Sequence, residues 1–185
     1  MPERETTGTP RGRELRDFIR DVPGFPQEGI VFKDITPLVA DAGAFKEVVS
    51  RIAEHFRNSE VALVAAVEAR GFIFGTAIAV ELGAGFVPLR KPGKLPWETA
   101  TKTYDLEYGT DAVEIHRDAV PPGARVLMVD DLLATGGTMA AACELVEDLG
   151  GTIVGCAFVI ELAFLGGRNK LTNHDVLSLI TYGSE

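Results

Sequence analysis

Residues 126–139 read Val-Leu-Met-Val-Asp-Asp-Leu-Leu-Ala-Thr-Gly-Gly-Thr-Met, and their types and order suit one piece of chemistry each. Val126–Val129 is apolar on both faces, as in a central parallel strand. Asp130 and Asp131 then fall at its carboxyl end, where open α/β sheets bind ligands. Carboxylates there accept hydrogen bonds from a vicinal diol such as a ribose. Ala134-Thr135-Gly136-Gly137-Thr138 carries two glycines, so its backbone can turn sharply and approach a ligand closely. Its amides, two threonine hydroxyls and the N-terminus of the helix that follows make a cradle for a phosphate monoester. No Gly-Lys-Ser/Thr follows, which excludes a nucleotide-triphosphate loop. The G-x-G-x-x-G spacing of a dinucleotide fold is also missing.

Four other stretches carry candidate chemistry. Glu68-Ala69-Arg70-Gly71 joins a buried strand to a helix, so Arg70 and nearby amides can hold an anion, although an arginine capping a turn reads the same way. Arg90-Lys91-Pro92-Gly93-Lys94 sets Arg90, Lys91 and Lys94 together in an otherwise acidic chain. That is a solvated face unless a polyanion meets it; beside the phosphate cradle it suits a pyrophosphate. Thr103–Gly109 ends a long connection. It is an amphipathic strand, or a closing segment that delivers an acid. Gly24–Ile35 mixes two prolines with aromatic and β-branched residues, which alone reads as core.

The elements that would position these residues alternate in type. Helical spacing predicts a short helix over 14–21, ended by Pro23-Gly24-Phe25-Pro26. A second helix carries Phe45, Val48, Val49, Ile52, Ala53 and Phe56 on one face, with Asp41 as N-cap. Val61–Val67 reads as a buried strand, Phe72–Leu82 as a buried helix closed by Gly83, and Gly85–Leu89 as a strand. Lys91–Thr103 reads as a long mobile loop, and Ala112–His116 as a strand before the Pro121-Pro122-Gly123 turn. A helix over Met139–Leu149 stops at Gly150-Gly151, and Ile153–Ile160 and Val176–Thr181 are further strands. The order predicts an α/β fold with a mostly parallel central sheet flanked by helices.

Length and composition set the class. At 185 residues the chain is most simply one domain, residues 14–185, behind a polar lead-in of residues 1–13 that reads as disordered. A formal net charge of −9 argues against nucleic-acid or membrane partners. No apolar run reaches the roughly 20 residues that span a bilayer, and residues 1–13 lack the apolar core expected of a signal peptide. A cytoplasmic location is expected. Cys143 and Cys156 fall in apolar surroundings and read as buried free thiols.

Taken in register, these strings resemble the adenine branch of the type I phosphoribosyltransferases, over about Glu14 to Tyr182. The most specific are Phe25-Pro26 through Ile35, Glu68–Phe72, Arg90–Pro96, Tyr104–Gly109 and Val129–Thr138. The resemblance implies transfer of phosphoribosyl from 5-phospho-α-D-ribose 1-diphosphate to adenine, giving AMP and pyrophosphate, with Mg²⁺ bound mainly through the diphosphoribosyl substrate. It implies a homodimer, a small N-terminal hood over about residues 14–40, and an active-site loop over about 91–107. Asp130, Asp131 and Ala134, Thr135, Gly136, Gly137 and Thr138 would hold the ribose and 5′-phosphate. Arg70, Arg90, Lys91 and Lys94 would meet the pyrophosphate, and Phe25, Val31, Lys33 and Leu162 the adenine. The hypoxanthine–guanine relatives usually carry an aspartate where Ala134 stands. Glu107 is then expected to be the catalytic acid. The family often has arginine at the position of Lys33, and a non-proline cis peptide at that of Glu68–Ala69.

Overall fold

A computed structural model describes residues 14–105 and 109–184. Its centre is a five-stranded sheet in the order β4-β3-β7-β8-β9, formed by β3 (Leu63–Val67), β4 (Gly85–Leu89), β7 (Arg125–Leu133), β8 (Thr152–Leu162) and β9 (Val176–Tyr182). Every neighbouring pair in it is parallel. Two helices, α2 (Ala42–Phe56) and α3 (Gly71–Leu82), cover one face, and α4 (Gly137–Asp148) covers the other.

The side-chain alternation of the strands explains the two layers. Val64, Ala66, Leu127, Val129, Ala157 and Val159 point one way and pack with Val48, Ile52, Phe56, Phe74 and Ile78 of the helices. Ala65, Val67, Val126, Met128, Cys156 and Phe158 point the other way, against Met139, Ala142, Leu145 and Val146. Both strand faces are therefore apolar, which is why these strands read as continuous hydrophobic runs rather than alternating ones. Asp41 caps α2 by accepting the Ala44 N–H at 2.9 Å, and α3 ends on Gly83 in the left-handed region (φ 68°). Cys143 and Cys156 are free and buried, with their sulfurs 3.7 Å apart.

Two expectations need correction. Residues 14–21 are not one helix. Leu15–Phe18 is a single 3-10 turn, and the chain then runs as β1 (Arg20–Pro23) antiparallel to β2 (Val31–Asp34). Leu15 and Phe18 are buried against the core as expected, but Pro23 and the hairpin's cross-strand bonds decide the backbone of the rest. The short α1 (Thr36–Ala40) follows this hairpin.

The connection after β4 is also shorter than the mobile loop expected over 91–107. Thr99–Asp105 is a strand, β5, paired antiparallel with β6 (Thr110–His116). Ala100 and Tyr104 pack against the α4-side core. Threonines on alternate positions, Thr99, Thr101 and Thr103, suit such a ribbon, and the scattered polar residues masked that pattern in the sequence. Residues 106–108 lie outside the described residues.

Candidate active site

The chain crosses from β3 to β4 on one side and then to β7 on the other, so the sheet reverses its winding between β3 and β7. A crevice opens at the carboxyl ends of strands at such a point. Here β3 pairs with β7 only as far as Ala66 opposite Val129, whereas β8 accompanies β7 to Leu133 opposite Glu161. Asp130 and Asp131 are thus the first residues of β7 with no neighbour on the β3 side. Strand β7 runs past both acids, instead of ending at Val129 as the apolar run suggested.

Arg70, at the N-terminus of α3, reaches across the crevice to place Nε 2.9 Å from Asp131 Oδ2. The Asp131 carboxyl is buried, yet Oδ2 makes no properly aligned hydrogen bond, and neither does the buried Nη1 of Arg70. Asp130, half-buried, accepts the Asp131 N–H on Oδ1 at 2.9 Å. Burial pushes both carboxyls above the ordinary aspartate value. The Asp131 charge raises Asp130 further, while the Arg70 guanidinium works against burial at Asp131. A ligand that donates hydrogen bonds into this pair relieves the cost of keeping two carboxylates adjacent. Gly71 permits the close approach of α3, because a Cβ there would lie 2.8 Å from Asp130 Oδ1.

Ala134–Thr138 curls directly from β7 into α4 around a cavity of about 80 Å³, lined also by Asp130 and Phe158. Gly136 takes φ 77° at the N-cap of α4, a conformation that glycine adopts without steric cost. Gly136 to Met139, the N-cap and first turn of α4, line this space, and the unpaired amides of a helix N-terminus suit an anion.

The pyrophosphate candidates come together on the neighbouring strand ends. Arg90 Nε donates to Glu68 Oε2 at 2.7 Å, and Arg90 Nη1 donates to the Lys94 carbonyl at 3.0 Å. The Lys91 ammonium is bound to Asp111 and lies 3.2 Å from Tyr104 Oη. Tyr104 Oη in turn donates to Asp111 Oδ2 at 3.0 Å and accepts from Thr138 Oγ1 at 3.1 Å. The Lys91 ion and hydrogen bond holds the Asp111 carboxyl below the ordinary aspartate value. A chain of polar contacts thereby links the cationic strand end, the β5–β6 hairpin and the loop at Thr138. Lys94 is exposed. The Glu68–Ala69 peptide is cis.

The adenine candidates divide into two groups. Phe25, 52% exposed, packs edge-to-face with Phe32 with ring centroids 5.1 Å apart, and the Arg70 guanidinium lies over the Phe32 ring, 5.0 Å from its centre. Val31 is half-buried at the start of β2, on the strand face it shares with Lys33. Lys33 is only 4% exposed; its ammonium binds Asp21 Oδ1 at 2.8 Å and lies 4.3 Å from the Tyr182 ring centre. Leu162 closes β8 opposite that tyrosine. Sequence reasoning missed Phe32, Tyr182, Asp111 and the part of Tyr104. The polar partners of Lys33 and Lys91 come from other elements, so no local spacing announced them. Glu107 lies outside the described residues.

Known proteins resemble this chain along most of its length. Residues 38–176 match the family model described as "Phosphoribosyl transferase domain". The chain is 58% identical over 169 residues to an adenine phosphoribosyltransferase of Geobacter metallireducens, an alignment that covers 91% of this chain and 99% of the relative. The crystal structure of adenine phosphoribosyltransferase from Thermoanaerobacter pseudethanolicus superposes with a TM-score of 0.88 at 54% identity, over 91% of this chain and 98% of that one. The Saccharomyces cerevisiae enzyme, complexed with D-2,5-dideoxy-2,5-imino-altritol 1,6-bisphosphate and adenine, superposes with a TM-score of 0.85 at 43% identity, over 89% and 96%. With the family model matched over residues 38–176 and 58% identity to such an enzyme over nine-tenths of its length, the chain belongs to the adenine phosphoribosyltransferase family.

Proposed function

We propose that the crevice between β3 and β7 is where phosphoribosyl passes from 5-phospho-α-D-ribose 1-diphosphate to adenine, giving AMP and pyrophosphate in purine salvage. The observation that carries the assignment of residues is the direct continuity of Asp130 and Asp131 with the Ala134–Thr138 cradle. One strand end thus offers diol acceptors and phosphate donors a few residues apart.

The chemical difficulty is charge separation. As the C1′–O bond breaks, positive charge grows on the ribose ring and negative charge on the departing diphosphate. The loop amides and Thr138 hold the 5′-phosphate and fix C1′ relative to the base. Asp130 and Asp131 accept from the ribose hydroxyls and face the ring as it becomes cationic. Arg70, Arg90, Lys91 and Lys94 face the leaving group, where fixed positive charge stabilises the transition state more than the ground state. Glu68 and Asp111 hold Arg90 and Lys91 in place meanwhile. Glu107 is proposed as the acid that manages the base proton, and Phe25, Val31, Lys33 and Leu162 as the adenine surround.

Mg²⁺ fits the donor chemistry at this edge: two carboxylates, one oxygen of which lacks an aligned hydrogen bond, stand beside the proposed diphosphate site. The ion would be carried mainly by diphosphate oxygens. When bound it supplies further charge neutralisation to the leaving group. A homodimer and a cytoplasmic location belong to the same proposal. Exposed Ile73 and Val80 on α3 support the first, and two buried free cysteines are in keeping with the second. No helix among the described residues is long and apolar enough to cross a membrane.

One assay tests the reading. The protein is mixed with Mg²⁺, the diphosphoribosyl donor and each base in turn, and nucleotide and pyrophosphate are followed. Turnover is expected with adenine. Turnover with hypoxanthine or guanine but not adenine would overturn the base assignment, and no turnover with any base would overturn the enzyme assignment.

A further inference from the structure

The phosphate loop rests on bare backbone. A Cβ at Gly136 would meet the Gly167 carbonyl oxygen at 2.4 Å, and a Cβ at Gly167 would meet the Ala134 carbonyl oxygen at 2.1 Å and the Gly136 nitrogen at 3.0 Å. Two glycine-bearing turns therefore touch with no side chain between them. The shape of residues 134–136 is set by where the turn at 166–167 sits, because close-packed backbones transmit displacement.

That turn has little regular structure of its own. After β8 the chain makes one 3-10 turn at Ala163–Leu165, passes through Gly166 at φ 66°, and makes another at Gly167–Lys170. Its bonds are short-range, among them those from the N–H groups of Gly166, Asn169 and Leu171, each 3.0 Å long. Buried Leu171 anchors the far end.

The near end is fixed by an ion pair. Arg168 donates from Nε to Glu161 Oε1 at 3.0 Å and from Nη2 to Glu161 Oε2 at 2.6 Å, a two-pronged match of guanidinium and carboxylate. Its Nη1 donates to the Val176 carbonyl at 2.8 Å, which ties the turn to β9 as well. Glu161 is 6% exposed and lies opposite Leu133, the residue that precedes the loop. A buried carboxylate is costly to keep unless fully paired, and no step of the proposed reaction uses this one.

We propose that the Glu161–Arg168 pair is a brace that sets the floor of the 5′-phosphate loop, which makes Arg168 a positioning residue for the phosphate monoester. The inference rests on the assignment of Ala134–Thr138 to the 5′-phosphate. The brace clamps the turn to β8 and β9, the turn presents Gly167 to Ala134 and Gly136, and the loop amides keep their direction. The pyrophosphate candidates Arg70, Arg90 and Lys91 follow β3 and β4, on the far side of β7, and their bonds to Asp131, Glu68 and Asp111 do not run through the turn.

The test compares two ligands on the full chain by titration calorimetry: ribose 5-phosphate, and inorganic pyrophosphate with Mg²⁺. Arg168→Lys keeps the charge but loses the fork. It should weaken ribose 5-phosphate roughly tenfold, the equivalent of one well-placed charge-assisted hydrogen bond. Pyrophosphate should stay within about twofold, below the cost of any specific contact. Equal weakening of both ligands would mean that Arg168 serves the fold alone, and no change in either would remove the brace; both overturn the proposal. If wild type does not bind ribose 5-phosphate, the loop assignment itself fails and takes the brace with it. Should Arg168→Lys not fold, Glu161→Gln carries the same comparison. It is isosteric and keeps one acceptor. The same selective loss is expected, and equal loss or none again overturns the brace.

Discussion

Gly71 and Gly75 lie one helical turn apart on the inner face of α3, and exchanging each for alanine should separate binding from folding. A Cβ at Gly71 would sit 2.8 Å from Asp130 Oδ1 and 3.2 Å from both the Asp130 Cα and the Val129 carbonyl oxygen. The nearest atom is the tip of a side chain, so the carboxylate rotates away while the backbone gives by a few tenths of an ångström. Asp130 Oδ1 then loses the Asp131 N–H that it accepts at 2.9 Å. A charge-assisted bond of this kind contributes about 1.5–3 kcal/mol, and alanine recovers up to about 1 kcal/mol of helix preference over glycine. Net destabilisation should be about 0.5–2 kcal/mol. The same carboxylate is the proposed acceptor for the ribose diol, so losing its aim should weaken the diphosphoribosyl donor by roughly 10- to 150-fold.

Gly75 differs in what it would strike. Its Cβ would lie 2.6 Å from Ala66 Cβ on a central strand and 3.1 Å from the Phe86 ring. Neither moves cheaply, so Gly75→Ala should cost about 1–3 kcal/mol by overpacking and leave donor affinity within about twofold. Thermal melts and donor titration in the presence of Mg²⁺ read both quantities for each variant. Wild-type donor affinity in Gly71→Ala, or matching losses of affinity in the two variants, would refute the assignment of Asp130.

Two further outcomes are expected. Glu107→Gln should lower kcat by roughly 10²–10⁴ if the residue does acid–base work, with donor affinity little changed; rapid-quench measurement of the chemical step checks this, and an unchanged rate removes Glu107 from the mechanism. Asp111 has its folded-state pKa depressed, by the hydrogen bond from Lys91 first, so its contribution to stability is full above the ordinary aspartate value of 3.8 and is lost as pH falls through the lower folded value. Asp111→Asn should therefore show a flatter fall in melting temperature below about pH 4 than wild type, and parallel curves would show that the pair contributes nothing.

Much of this site is written locally. Asp130, Asp131 and Ala134–Thr138 follow one another along one strand–loop–helix unit, and the apolar runs at 61–67, 126–129 and 153–160 already point to a buried parallel sheet with its ligands at the carboxyl edge. Local spacing also carried the caps at Asp41 and Gly83, because a cap is an interaction with the next few residues. Where the decisive partner lies on another element, the sequence is silent. Residues 20–23 became a strand because 31–34 pairs with them, and 99–105 became one because 110–116 does. Lys33 and Lys91 read as cations available to ligands until Asp21, Tyr182, Asp111 and Tyr104 are seen around them. Gly167 and Arg168 had no visible tie to the phosphate loop, since the contact is between backbones some thirty residues apart in the chain. Periodicity and turn chemistry report short-range preferences; ion pairs across strands and glycine-to-glycine contacts exist only once the sheet has set the distances.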